Sequence, residues 1–304
     1  MKNYNCIVVL GPTASGKTRV ACQLANVLNG EIISADSRQV YKKLDIGTGK
    51  DLEEYVIGGK QIPYHLIDII EPEEQFYLHQ FTAELKKAFE EITFKDRLPI
   101  ICGGTGLYLD ALKKTFAFTQ IKEDEHLRHE LGQLTREDLA EQLEKYPSIL
   151  TRQVDRNSTK RLIRGIEIAE YFSKQGKNLP IPELPYKPYY IGLKTNLEER
   201  KKYISERLKK RLQGGLIEEV EGLLSSGISH ARLELFGLEY KFTSYYLKKE
   251  IAKEELFSRL QTAIFQFAKR QMTWFRKMER EGVVIHWIGR DEDIEKLAAP
   301  LGFQ

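Results

Sequence analysis

Short apolar runs alternate with longer amphipathic ones along the first third of the chain. Cys6 to Leu10 is continuously apolar, Arg19 to Leu28 is amphipathic, and Glu31 to Ala35 is a second short run after an Asn29-Gly30 turn. Gln61 to Ile70 reads as a further strand with Pro63 near its start, Phe76 to Phe94 as a helix and Leu98 to Cys102 as a buried strand. In that helix Phe81, Leu85, Ala88, Phe89 and Ile92 recur on one face at helical spacing, so the stripe is core. Short strands separated by helices predict α/β architecture: a parallel sheet flanked by helices.

The pattern changes near Phe118. Residues 121 to 174 read as helical and highly charged, with Pro147 separating two helices. Pro180, Pro182, Pro185 and Pro188 read as a linker, and Tyr189 to Leu193 returns to a strand. This predicts one α/β domain, residues 1–118 and 189–304, interrupted by an all-α insertion at 119–188. Asn196 to Leu224 is a long helix, or one broken at Gly214-Gly215; Glu254 to Arg280 is another, and Val283 to Ile288 a last strand.

Composition narrows the class. The chain has 304 residues, enough for one large core with a smaller module. Its net charge is only +3, which disfavours bulk nucleic-acid binding and leaves room for a local basic face. Cys6, Cys22 and Cys102 lack metal-ligand spacing, and an odd few suits a reducing compartment. No apolar run approaches the about 18 residues of a membrane span and no signal peptide fits, so a soluble cytoplasmic protein is expected.

The first strand runs into Gly11-Pro12-Thr13-Ala14-Ser15-Gly16-Lys17-Thr18, which opens the first helix. Strand, glycine-rich turn and helix are the context of a phosphate-binding P-loop. Glycines let the loop turn its N–H groups inward, and the helix N-terminus favours an anion. Lys17 supplies a cation, and Thr18 a hydroxyl for a magnesium ion bridging the phosphates. A di- or triphosphate is the expected ligand. Asp36, at the end of the second strand, faces the same crevice; a turn-capping role is the competing reading. Residues 44–50 form a small-residue loop with one cation, Lys50, and Leu66-Ile67-Asp68 resembles a Walker B strand only weakly. Gly103 to Gly106 is another turn at a strand end, where ligand approach and tight packing are equal readings.

Two basic stretches stand out. Arg152, Arg156, Lys160, Arg161 and Arg164 carry little nearby acid before Glu167, favouring a phosphate-backbone surface over a solvated face. Residues 269–276 interleave cations with Trp274 and Phe275; such a face can hold RNA, or bury its aromatics while its cations reach outward.

Together these segments resemble the bacterial tRNA dimethylallyltransferase (isopentenyl-tRNA transferase) family nearly end to end. The likeness rests on Gly11–Thr18, Asp36-Ser37-Arg38-Gln39-Val40-Tyr41, Asp45-Ile46-Gly47-Thr48, Gly103-Gly104-Thr105, Arg161-Leu162-Ile163-Arg164 and Lys269-Arg270-Gln271-Met272-Thr273-Trp274-Phe275-Arg276. The chain departs from the usual pattern at Gly49, where Ala is common, at Lys160, where Gln is common, and in the run 237–241. The resemblance implies a P-loop NTPase-like fold with a tRNA-binding insertion. It implies transfer of a dimethylallyl group from dimethylallyl diphosphate to N6 of the adenosine 3′-adjacent to the anticodon, releasing pyrophosphate, in tRNAs that read codons starting with U. The loop would hold a leaving group rather than hydrolyse ATP. Asp36 would be the base, with Lys17, Thr18, Mg²⁺ and Arg207 stabilising the departing diphosphate. The adenine would be flipped into a channel lined by Asp36, Ser37, Gln39 and Thr105, with Arg38 beside it. Lys160, Arg161 and Arg164, and Lys269, Arg270, Gln271, Thr273, Trp274 and Arg276, would grip the anticodon stem-loop. The expected protein is a monomer.

Three other readings stay open on the residues alone: a small-molecule P-loop kinase, a non-catalytic RNA-binding protein, and prenyl transfer to a free adenine nucleotide. The inserted helices and basic faces favour the larger acceptor.

Overall fold

The computed structural model describes residues 4–114, 121–151, 154–175 and 184–299. The strands are β1 Cys6–Leu10, β2 Gly30–Ser34, β3 Val56–Ile57, β4 Lys60–Gln61, β5 Tyr64–His65, β6 Leu98–Gly103, β7 Pro188–Leu193 and β8 Ile285–Ile288. The helices are α1 Lys17–Val27, α2 Leu78–Phe94, α3 Gly106–Asp110, α4 Glu125–Leu131, α5 Arg136–Glu144, α6 Ser148–Thr151, α7 Thr159–Gln175, α8 Leu197–Gln213, α9 Leu216–Ser225, α10 His230–Leu233, α11 Leu238–Leu247, α12 Lys253–Arg280 and α13 Ile294–Ala298.

Six strands form one parallel sheet in the order β5-β2-β6-β1-β7-β8. β1, β2 and β6 are buried throughout, which explains their unbroken apolar runs. Alternate residues Ile7, Val9, Ile32, Ile100, Cys102 and Ile191 pack with Val20, Ala21 and Leu24 of α1. Phe81, Leu85 and Phe89 of α2 are buried, and that helix lies against β2 and β6. Strand order reverses around β1, so the P-loop that follows it opens into the crevice at the carboxyl ends of the strands.

The chain divides into two compact units, residues 1–114 with 185–304, and residues 115–184. In the second unit Leu131, Leu139, Leu143, Leu162 and Ile166 form a core of their own. Glu167 is buried there and accepts from Arg128 Nε and Nη2 at 2.8 and 2.9 Å, from Asp124 N at 2.9 Å and from Arg164 Nη1 at 3.0 Å. Burial pushes its carboxyl up, but these donors outweigh it and hold the group below its ordinary value.

One expected strand is broken. Between Gln61 and Ile70 only Gln61, in the β3–β4 hairpin, and Tyr64–His65 are strand. Pro63 has no N–H to donate, and Leu66 and Asp68 turn the chain with positive φ, so the ladder stops after two residues. The helix expected from 196 to 224 is broken at Gly214-Gly215 into α8 and α9. Among the described residues no helix is long and apolar enough to cross a membrane.

Candidate active site

A cleft of about 1120 Å³ lies at the strand ends and is bordered by Thr13, Lys17, Thr18, Asp36 and Arg207. α1 begins at Lys17 with no side-chain cap on its first turn, leaving N–H groups free to meet an anion. Lys17 Nζ donates to Pro12 O at 3.0 Å. Burial pulls its ammonium below the ordinary lysine range, and Arg207 pushes the same way, while nearby Asp36 and Glu54 oppose them. Asp36 Oδ1 accepts from the Arg38 backbone N–H at 2.9 Å; Oδ2 has no protein donor among the described residues. The capping role and the exposure to the cleft thus coexist. Thr105 Oγ1 accepts from Ser37 N at 3.2 Å, leaving the threonine hydroxyl hydrogen available to a ligand. Cys102 also borders the cleft, and burial holds it as a thiol with its pKa pushed up to about 12.

The 45–51 loop is a wall of this cleft, and sequence reasoning missed what fixes it. Glu219 of α9 accepts from the N–H groups of Asp45, Ile46 and Gly47 at 2.9, 2.7 and 3.0 Å, and from Tyr240 OH at 2.7 Å. Lys50 is fully buried and pairs with Asp45 at 2.6 Å and with Asp68. Asp68 therefore anchors a loop and is no Walker B carboxylate. Arg207 Nη2 lies 2.9 Å from Asp51 Oδ2 and 3.5 Å from Gly49 O, while its Nη1 reaches Thr13 Oγ1 at 3.5 Å. Arg211, one turn further along α8, donates to Glu239 at 2.8 Å and Gly47 O at 3.3 Å. Gly49 has φ +64, and a Cβ there would lie 1.7 Å from Arg211 Nη2 and 2.1 Å from Arg207 Nη2. An alanine at this position would press on both guanidinium groups and would have to adopt the positive φ.

Two residues expected to contact tRNA, Gln39 at the adenine and Gln271 at the stem-loop, are tied up inside the protein. Gln39 accepts from Ser34 Oγ at 2.8 Å and donates to Gly49 O at 2.9 Å, so both ends of its amide are used although it borders the cleft. Gln271 is buried in α12: its Oε1 accepts from Thr13 N at 2.8 Å and its Nε2 donates to Gly104 O at 2.9 Å. It clamps the P-loop to the turn after β6. A Cβ on Gly106 would be 2.4 Å from the Trp274 ring and one on Gly104 2.3 Å from Gln271 Nε2, both on α12, while one on Gly103 would be 2.3 Å from Ala35 O, so tight packing accounts for the small residues of this turn. Lys269, Arg270, Thr273 and Arg276 are exposed on the outer side of the same helix, and Arg270 borders the cleft.

The basic stretch of the second unit is better neutralised than its sequence suggests. Arg161 Nη1 lies 2.6 Å from Asp155 Oδ2, and Arg156 3.5 Å from Glu144. Arg164 binds Glu167 at 3.0 Å and Ile121 O at 2.6 Å, which makes it part of that unit's framework. Lys160 is exposed, and Arg152 lies outside the described residues.

The fold and cradle define a P-loop α/β protein whose loop opens into a cleft that Asp36 also borders. The IPP transferase profile matches residues 39–278, and the chain belongs to that family. It is 44% identical over 302 residues to tRNA dimethylallyltransferase 2 of Phocaeicola vulgatus, covering 98% of this chain and 97% of that one. It is 47% identical over 289 residues to tRNA dimethylallyltransferase 1 of Geotalea uraniireducens, covering 95% and 94%. The crystal structure of tRNA isopentenylpyrophosphate transferase from Bacillus halodurans superposes with a TM-score of 0.69 at 32% identity, over 98% of this chain and 94% of that chain.

Proposed function

We propose that this chain transfers a dimethylallyl group from dimethylallyl diphosphate to N6 of the adenosine 3′-adjacent to the anticodon of tRNA. The observation that carries the reading is the shared cleft: a P-loop cation, Lys17, and a carboxylate with a free oxygen, Asp36, border one cavity. The donor's diphosphate lies on the α1 N-terminus and Lys17. The adenine enters from the side of Asp36 and Thr105. The amine nitrogen forms a bond to the allylic carbon as the carbon–oxygen bond to the diphosphate breaks. Asp36 takes the amine proton, and the leaving pyrophosphate keeps the electron pair. Arg207, aimed across the P-loop from Asp51, meets the charge that develops on the leaving oxygen.

Magnesium fits this site in a particular way. Among the described residues no group of three His, Cys, Asp or Glu side chains could hold a metal by itself. A magnesium ion would therefore be held by the Thr18 hydroxyl together with diphosphate oxygens, where it would neutralise leaving-group charge. Along the exposed side of α12, Lys269, Thr273 and Arg276, with Arg270 at the cleft's edge, offer phosphate contacts for the anticodon stem-loop; on the insertion Lys160 offers an exposed cation, while Arg161 is paired with Asp155. The reading carries with it a monomer working in the cytoplasm.

Incubation of the protein with labelled dimethylallyl diphosphate, Mg²⁺ and undermodified tRNA, followed by nucleoside analysis, tests it. N6-(dimethylallyl)adenosine in the digested tRNA is the expected product. Label appearing only on a free adenine nucleotide would move the acceptor, and phosphate passing from ATP to a small acceptor would replace the reaction.

A further inference from the structure

We infer that Arg290 is a second arginine for the donor's diphosphate, reaching the P-loop from the end of β8; this rests on the prenyl-transfer reading above. Arg290 follows the last strand of the sheet by two residues, so it stands at the same carboxyl edge as the P-loop and Asp36. It borders the cleft. Its side chain lies against the P-loop itself: a Cβ on Gly16 would be 3.3 Å from Arg290 Nε.

The surroundings hold the guanidinium in place without cancelling its charge. Arg290 lies over the ring of Tyr203, 4.4 Å from its centre. Its backbone is tethered by Arg19 Nη2, which donates to Arg290 O at 3.0 Å and to Asp291 Oδ1 at 3.0 Å. The adjacent carboxylate is thus taken by Arg19, and Arg290 has no carboxylate partner among the described residues. Three other cations around the cleft are in a different condition: Arg207 is paired with Asp51, Arg211 with Glu239, and Lys50 with Asp45 and Asp68. An arginine supported by an aromatic face retains its N–H donors for an anion.

Tyr203 and Arg207 are four residues apart on α8 and share a face of it. One helix therefore presents both arginines to the loop. Arg207 touches its Thr13 end directly, and Arg290 is propped at its Gly16 end by Tyr203. A diphosphate seated between them is gripped from two sides.

The test uses the full-length protein, with pyrophosphate and dimethylallyl diphosphate as probes. Calorimetry should show pyrophosphate binding weakened about tenfold or more in Arg290→Gln, the loss of one charge-assisted hydrogen bond. Arg290→Lys should recover most of it. In steady state the KM for dimethylallyl diphosphate should rise while the KM for tRNA stays put. Tyr203→Leu should weaken pyrophosphate binding in the same direction, and adding it to Arg290→Gln should cost little more. Unchanged pyrophosphate affinity in Arg290→Gln, whether or not its Tm falls, overturns the assignment. A raised KM for tRNA alone does the same. Wild-type protein that binds no pyrophosphate overturns the cradle, and Arg290's part with it. Wild-type protein that binds pyrophosphate yet prenylates no tRNA overturns only the choice of acceptor.

Discussion

Lys17 holds a positive charge where burial disfavours it, and that has a pH signature. Its ammonium is lowered from the ordinary 10.5, chiefly by burial. A bound diphosphate raises it again, so above the free protein's lowered value binding takes up a proton. Donor affinity should fall as pH rises through a window that lies below 10.5. Pyrophosphate titrations at stepped pH measure this, with Lys17→Met as the control that loses the slope. Affinity that holds steady up to the ordinary lysine range would mean the ammonium is not the contact. At this scale the P-loop and Asp36 were legible from residue type and spacing. Lys50, Arg211 and Glu219 were not, because each matters through a partner distant in sequence: Glu219 caps N–H groups 172 to 174 positions away.

At the scale of elements, α12 joins the parts of the site. Ile264, Ala268, Gln271, Phe275 and Met278 form its buried face, at spacings of four and three. Gln271 is the one polar member of that stripe, and its place at core spacing is a sequence signal that it points inward. The run of cations around it suggested an RNA contact instead. Gln271→Leu would leave a part-buried Thr13 N–H and a buried Gly104 carbonyl unpaired, the latter costing about 1–3 kcal/mol. The expected outcome is a lower Tm and weaker donor binding, with tRNA affinity little changed by filter binding. Normal Tm and donor affinity with weakened tRNA binding would return Gln271 to the nucleic-acid face. The 161–164 stretch is better neutralised than its sequence suggested for a related reason: Asp155 lies six residues before Arg161, and only folding brings it to 2.6 Å. The strand expected over 61–70 failed because its buried residues line turns, where burial without regular alternation mimics a strand.

For the whole molecule, the parallel sheet with helices around it followed from the order of apolar runs. The strand order did not, since pairing of β1 with β6 and β7 joins segments about ninety and about one hundred and eighty residues apart, beyond the reach of local pattern. That order is what sets the P-loop, Asp36 and Arg290 along one edge. The most direct test is a single-turnover transfer measured with the intact protein, saturating dimethylallyl diphosphate and tRNA, comparing wild type with Asp36→Asn. If the aspartate takes the amine proton at the moment of transfer, the rate constant should drop by about a hundredfold or more while both ligands still bind. A rate within about twofold of wild type, with both ligands bound, would contradict it.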